Sequence, residues 1–128
     1  MNWQRAHWIT GTATLVVFLL TGAYMRWIRV PPVPQLDDVT RAVYRSRHLF
    51  ILLSSGLNLA LALAPSSKQR ARQIASALVL AAPVLFLTAF IFEPAQGIHG
   101  APFSQIALYL LFGAAVVLVW IGVRVRRS

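Results

Sequence analysis

The chain has 128 residues, of which 58% are hydrophobic and only 12% charged, with a mean hydropathy of +0.66. A water-soluble domain carries about 25% charged residues, so this composition points to the bilayer. Twelve Lys and Arg against three Asp and Glu give a net charge of +9, but the cations sit at the edges of apolar runs, where lipid head groups rather than nucleic acid are their partners. There is no cysteine, which excludes disulfides, thiolate metal sites and cysteine nucleophiles.

The first apolar run covers residues 8–27. Trp3 and Trp8 bracket one end, and Tyr24 and Trp27 the other, as aromatic belts do at the two membrane faces. Arg5, the run itself and Thr21-Gly22-Ala23 loosely match a cleavable signal. The run continues past that point to Trp27 and ends in Arg26 and Arg29, so it reads as a span. His7, Thr10, Thr14, Val17, Thr21 and Tyr24 share one face at helical spacing. Threonines can bond their own helix backbone, so this face reads as helix packing.

PPVP at 31–34 ends the first helix. In the following LDDVTRAVYRSRH, Asp37 or Asp38 can cap an amphipathic helix that feeds into the second span, and Asp37 and Arg41 stand four residues apart, in reach of each other. The second apolar run, 49–64, has 16 residues between His48 and Pro65. That is about 24 Å of helix, short of a hydrocarbon core of roughly 30 Å. The shortness predicts that Arg47 and His48 are drawn toward the hydrocarbon edge. Tyr44, Arg47, His48, Ile51, Ser55, Asn58 and Ala62 form a stripe at spacings of three and four. Ser55 and Asn58 make it polar inside the membrane, where such groups glue helices together. Gly56 and Ala60 form a small pair that permits close helix approach.

Pro65, Ser66 and Ser67 stop the second helix and cap the third, whose apolar run covers 74–92. Pro83 interrupts it, kinking the helix and leaving the Val79 carbonyl without its helical donor. EPAQGIHGAP at 93–102 is a turn segment, and the fourth run covers 103–123. The fold expected is an all-α integral membrane protein. It is a single four-helix transmembrane bundle over residues 1–128, with short loops and an amphipathic segment before the second span.

Four spans put residues 5, 68, 70, 72, 124, 126 and 127 on one side, seven cations against five on the other. The positive-inside rule then favours both termini in the cytoplasm of a bacterial-type inner membrane. Glu93 falls on the opposite side with Arg45, Arg47 and His48. These four residues form the candidate site, either for an ion pair or for an anionic lipid head group. His48 and His99 share that side and are the weak candidates for a haem or divalent-ion pair; His7 lies on the other. No cofactor motif is present, and no acid lies within a span to run proton-coupled export. Three function classes follow. The first is a non-enzymatic accessory or assembly protein, acting through helix contacts with itself or a membrane partner. The second binds or transports an anionic lipid or isoprenoid phosphate. The third is a small haem-binding redox protein.

Overall fold

A computed structural model of the chain describes residues 2–64, 69–97 and 100–127. Those residues are all-helical, without strands, and four helices are long and apolar enough to cross a membrane. Helix α1 is Trp3–Ala23, α2 Asp38–Leu63, α3 Arg70–Phe92 and α4 Pro102–Arg127.

Helices α1 and α2 each start at a side-chain cap. Asn2 accepts the Arg5 N–H at 3.2 Å and opens α1, and Asp37 accepts the Thr40 N–H at 2.9 Å and opens α2. Arg41 pairs with Asp38, not with Asp37 as the four-residue spacing suggested, because Asp37 is turned into the cap. The last turn of α1 widens into a π-helical turn, Tyr24–Ile28, closed by the Arg29 N–H on the Tyr24 carbonyl at 3.0 Å. The proline-rich link then forms a 3₁₀ turn, Val33–Gln35. The expected serine cap of α3 lies at 65–67, outside the described residues.

Helix α2 is unbroken over 26 residues, about 39 Å long. The amphipathic segment, its first three turns, runs directly into the second apolar run, as the sequence suggested. Val43 and Tyr44 are buried there, so packing holds the helix where hydropathy falls.

Polar contacts zip α1 antiparallel to α2 along their length. Gln4 Nε2 donates to the Ala64 carbonyl at 2.8 Å, His7 Nδ1 meets Asn58 Oδ1 at 2.7 Å, and Ser55 Oγ donates to the Gly11 carbonyl at 2.8 Å. Nearer the other end, Thr21 Oγ1 meets His48 Nδ1 at 3.0 Å. Gly11 is what allows this approach: a Cβ there would lie 2.8 Å from Leu59 Cγ and 3.0 Å from the Leu59 backbone nitrogen. The Gly56–Ala60 pair, expected to serve close packing, faces outward instead, with nothing within 4 Å of a Cβ added at Gly56.

Helix α4 packs chiefly on α3. Ala75, Val79, Ala82, Phe86 and Ala89 on α3, and Ser104, Ala107, Leu111 and Ala114 on α4, are buried at spacings of three and four, with Ile121 two turns further on. Alternating small and large side chains let the two backbones come close, as van der Waals packing in a membrane requires. Outer faces stay apolar: Tyr109, Phe112 and Val119 are exposed, as expected of surface that meets lipid.

Candidate functional site

Residues 45–48 of α2 spread four polar side chains around one helix turn, and the structure sends them in different directions. Arg47 points into the bundle. Its Nε donates to Glu93 Oε2 at 2.5 Å, its Nη1 to Ser46 Oγ at 3.0 Å, and its guanidinium lies 5.8 Å from the centre of the Phe50 ring. Glu93 is fully buried, in the 3₁₀ turn Glu93–Ala95 that extends α3. Its second oxygen accepts the Ser104 backbone N–H at 2.8 Å, in the first turn of α4. The carboxylate therefore balances a buried cation on one side and the positive end of a helix dipole on the other. This ties α2, α3 and α4 together.

His48 faces α1. Thr21 Oγ1 gives its single hydrogen to the Phe18 carbonyl at 2.9 Å, so the His48 contact runs from Nδ1–H to the Thr21 oxygen. The imidazole stacks on Phe18, ring centres 4.1 Å apart, with its edge against Gly22: a Cβ there would lie 3.3 Å from His48 Cε1 and 3.5 Å from Nε2. The other half of the suggested haem or metal pair, His99, lies outside the described residues. Among those residues no group of three or more His, Asp or Glu side chains is placed to hold a metal ion.

Arg45 faces outward, on the side of α2 away from Arg47. With Arg26, Gly22, Met25, Val33 and Pro34 it lines a cavity of about 130 Å³, where α1, the proline-rich turn and α2 meet. Arg26 was not singled out in the sequence, because only the fold of the 29–36 link brings it next to Arg45. Both arginines are exposed, and among the described residues neither has an acidic partner. The chain's three acids are all engaged elsewhere: Asp37 in the α2 cap, Asp38 with Arg41, and Glu93 with Arg47. Thr40 holds the Asp37 carboxyl below the ordinary carboxylate range, through its backbone N–H first and its side chain second.

Inside the spans a second polar knot joins three helices. Asn58 Nδ2 donates to the Ser54 carbonyl at 2.9 Å and to the Val79 carbonyl of α3 at 3.3 Å. That amide orientation turns Oδ1 to His7, so His7 donates from Nδ1, and its Nε2 is the one buried side-chain polar atom among the described residues without a hydrogen-bond partner. Thr14 bonds the Thr10 carbonyl of its own helix at 2.7 Å, as the spacing of that face suggested. Pro83 is buried and α3 continues through it without a break.

Two further cavities lie between α1 and α3. The outer, about 450 Å³, is lined by Thr21, Tyr24, Tyr44 and Phe90 among others; the inner, about 340 Å³, by Thr14, Ile51 and Pro83 among others. Both include Val17 and Leu87, so they form one groove with α2 as its floor.

Comparison of the chain with protein-family models, with curated proteins and with solved structures finds no match.

Proposed function

We propose that the chain is a bacterial-type inner-membrane protein that binds an anionic lipid or isoprenoid phosphate by its head group. The site is the cleft of Gly22, Arg26 and Arg45. One observation carries this reading. Two exposed arginines line a single cavity, while every acid in the chain is engaged elsewhere. Two like charges around one cleft repel each other, and a phosphate placed between them turns that repulsion into two charge-assisted hydrogen bonds. The aromatic residues at the same end, Tyr24 and Trp27, suit the head-group layer. On the count of Lys and Arg, this cleft faces away from the cytoplasm.

Native mass spectrometry from mild detergent tests the reading. The wild-type chain is expected to retain phosphatidylglycerol or cardiolipin over phosphatidylcholine, and the R26Q/R45Q double variant to lose that preference. Equal retention by both proteins counts against the site.

A second reading, assembly through helix contacts with another copy or a membrane partner, draws on the outward-facing Gly56 and Ala60. It is separated by cross-linking: a cysteine placed at Gly56 forms a dimer in membranes under that reading, and not under the lipid reading alone.

A further inference from the structure

The groove between α1 and α3 lies on the opposite face of α1 from the arginine cleft. Its outer chamber is walled by three aromatic rings. Tyr24 and Tyr44 each meet Phe90 edge-on, with ring centres 6.3 and 5.6 Å apart. Such a box suits a flat ring better than a branched or tetrahedral group. Its hydrogen-bonding capacity is one-sided. The Thr21 hydroxyl is spent on the Phe18 carbonyl and on His48. The Tyr44 oxygen accepts from Arg29 Nε at 3.1 Å, which leaves its own proton free to donate; no acceptor for that proton, or for the Tyr24 proton, stands among the described residues. Accepting a bond from a guanidinium also sharpens the phenol as a donor. The chamber therefore asks for an oxygen acceptor.

Charge decides which acceptor. No charged side chain lines either chamber. Arg29 stands behind Tyr44, bonded to the phenol and to the Pro31 carbonyl. A phosphate or carboxylate drawn into this space gives up its hydration for neutral donors alone, a far larger penalty than a carbonyl suffers. A carbonyl gives up one or two bonds to water and regains them from the phenols. The inner chamber continues past Val17 and Leu87 to Ala13, Ile51, Leu80, Pro83 and Val84. Its one buried hydroxyl, Thr14, is bonded to the Thr10 carbonyl, so an apolar tail fits there.

The geometry points to a binding site for an uncharged, flat, carbonyl-bearing ring with an apolar tail, the chemistry of an isoprenoid quinone. The ring sits among Tyr24, Tyr44 and Phe90, with a carbonyl oxygen on the Tyr44 hydroxyl. The tail passes between Val17 and Leu87 toward Pro83. Occupancy is independent of the arginine cleft.

Titration of the purified full chain with decylubiquinone, with bound quinone read by absorbance after gel filtration, tests the site. Saturable binding at one quinone per chain is expected. Tyr44→Phe keeps the ring and removes the donor, and should weaken binding about five- to tenfold, one hydrogen bond's worth. Leu87→Trp closes the passage and should abolish it. Farnesyl phosphate, with an isoprenoid tail and a charged head, should not compete, and R26Q/R45Q should bind quinone as wild type does. Absence of saturable binding overturns the proposal. So does a Tyr44→Phe protein that binds as tightly as wild type, or farnesyl phosphate that competes equally. Tyr44→Phe also covers the case in which Leu87→Trp fails to fold.

Discussion

Asn58 of α2 donates to the Val79 carbonyl of α3, the acceptor that Pro83 strips of its helical partner. A proline four residues on leaves a carbonyl bare inside the membrane, where no water can serve it, and a side chain from the neighbouring helix fills the gap. Because Asn58 Oδ1 also accepts from His7, one carboxamide serves three helices.

Asn58→Leu therefore leaves both the Val79 carbonyl and the His7 N–H unpaired, and should cost about 1–2 kcal/mol of stability. Pro83→Ala returns to Val79 its own helical donor. The pair is expected to couple: N58L in a P83A background should cost less, by about 0.5–1 kcal/mol, than in wild type. Unfolding in mixed detergent micelles measures the cycle, and strict additivity contradicts the role given to Asn58.

The Arg47–Glu93 pair behaves as a buried ion pair with one oxygen left over for α4. Glu93→Gln strands the Arg47 cation and weakens the tie to Ser104; the expected loss is about 3–5 kcal/mol. Replacing both members, R47M with E93L, should recover much of that loss, because no uncompensated charge remains. If E93Q is as stable as wild type in the same assay, the pair is not what holds the start of α4.

Asp37 gives a pH signature at the start of α2. Its folded carboxyl titrates below the ordinary range because the ionised form accepts the Thr40 N–H. The stabilisation is therefore fully present above the unfolded value and fades as pH falls through the lower folded one. The protection of the Thr40 amide, its exchange rate relative to the unfolded chain at the same pH, should fall over that acidic window. Asp37→Asn, which still caps, should flatten the acid dependence, and Asp37→Ala should show little protection at every pH.

Gly11 marks a close approach of α1 to α2. Gly11→Leu drives a side chain into Leu59 and its backbone, and should lower stability by about 1–3 kcal/mol. Gly56→Leu, on the outward face, should be nearly neutral in the monomer. Thermal unfolding of the two variants side by side decides this.

How much of this was legible beforehand depends on the kind of information each feature needs. The four spans follow from composition and run length alone. The bare Val79 carbonyl and the polar Asn58 were each readable, but their meeting was not, since it depends on the crossing of α2 and α3. The same holds for Arg45 and Arg26: their proximity is made by the proline-rich link. The second apolar run is short, and the helix that enters it was legible from the Asp37 cap; that residues 38–48 are also held by burial of Val43 and Tyr44 was not, since it depends on the packing of α2. Gly56 and Ala60 matched a packing pattern on the wrong face of the helix, while Gly11, unremarked beside its threonines, took that task.

A direct binding titration tests whether Arg26 and Arg45 bind an anionic head group. In nanodiscs of phosphatidylcholine, a fluorescent phosphatidylglycerol should transfer its emission from Trp27 in the wild-type protein, saturating at one lipid per chain. That signal should fall to the phosphatidylcholine background in R26Q/R45Q and persist in Y44F. Saturation of the same strength in R26Q/R45Q, or none in wild type, contradicts the account.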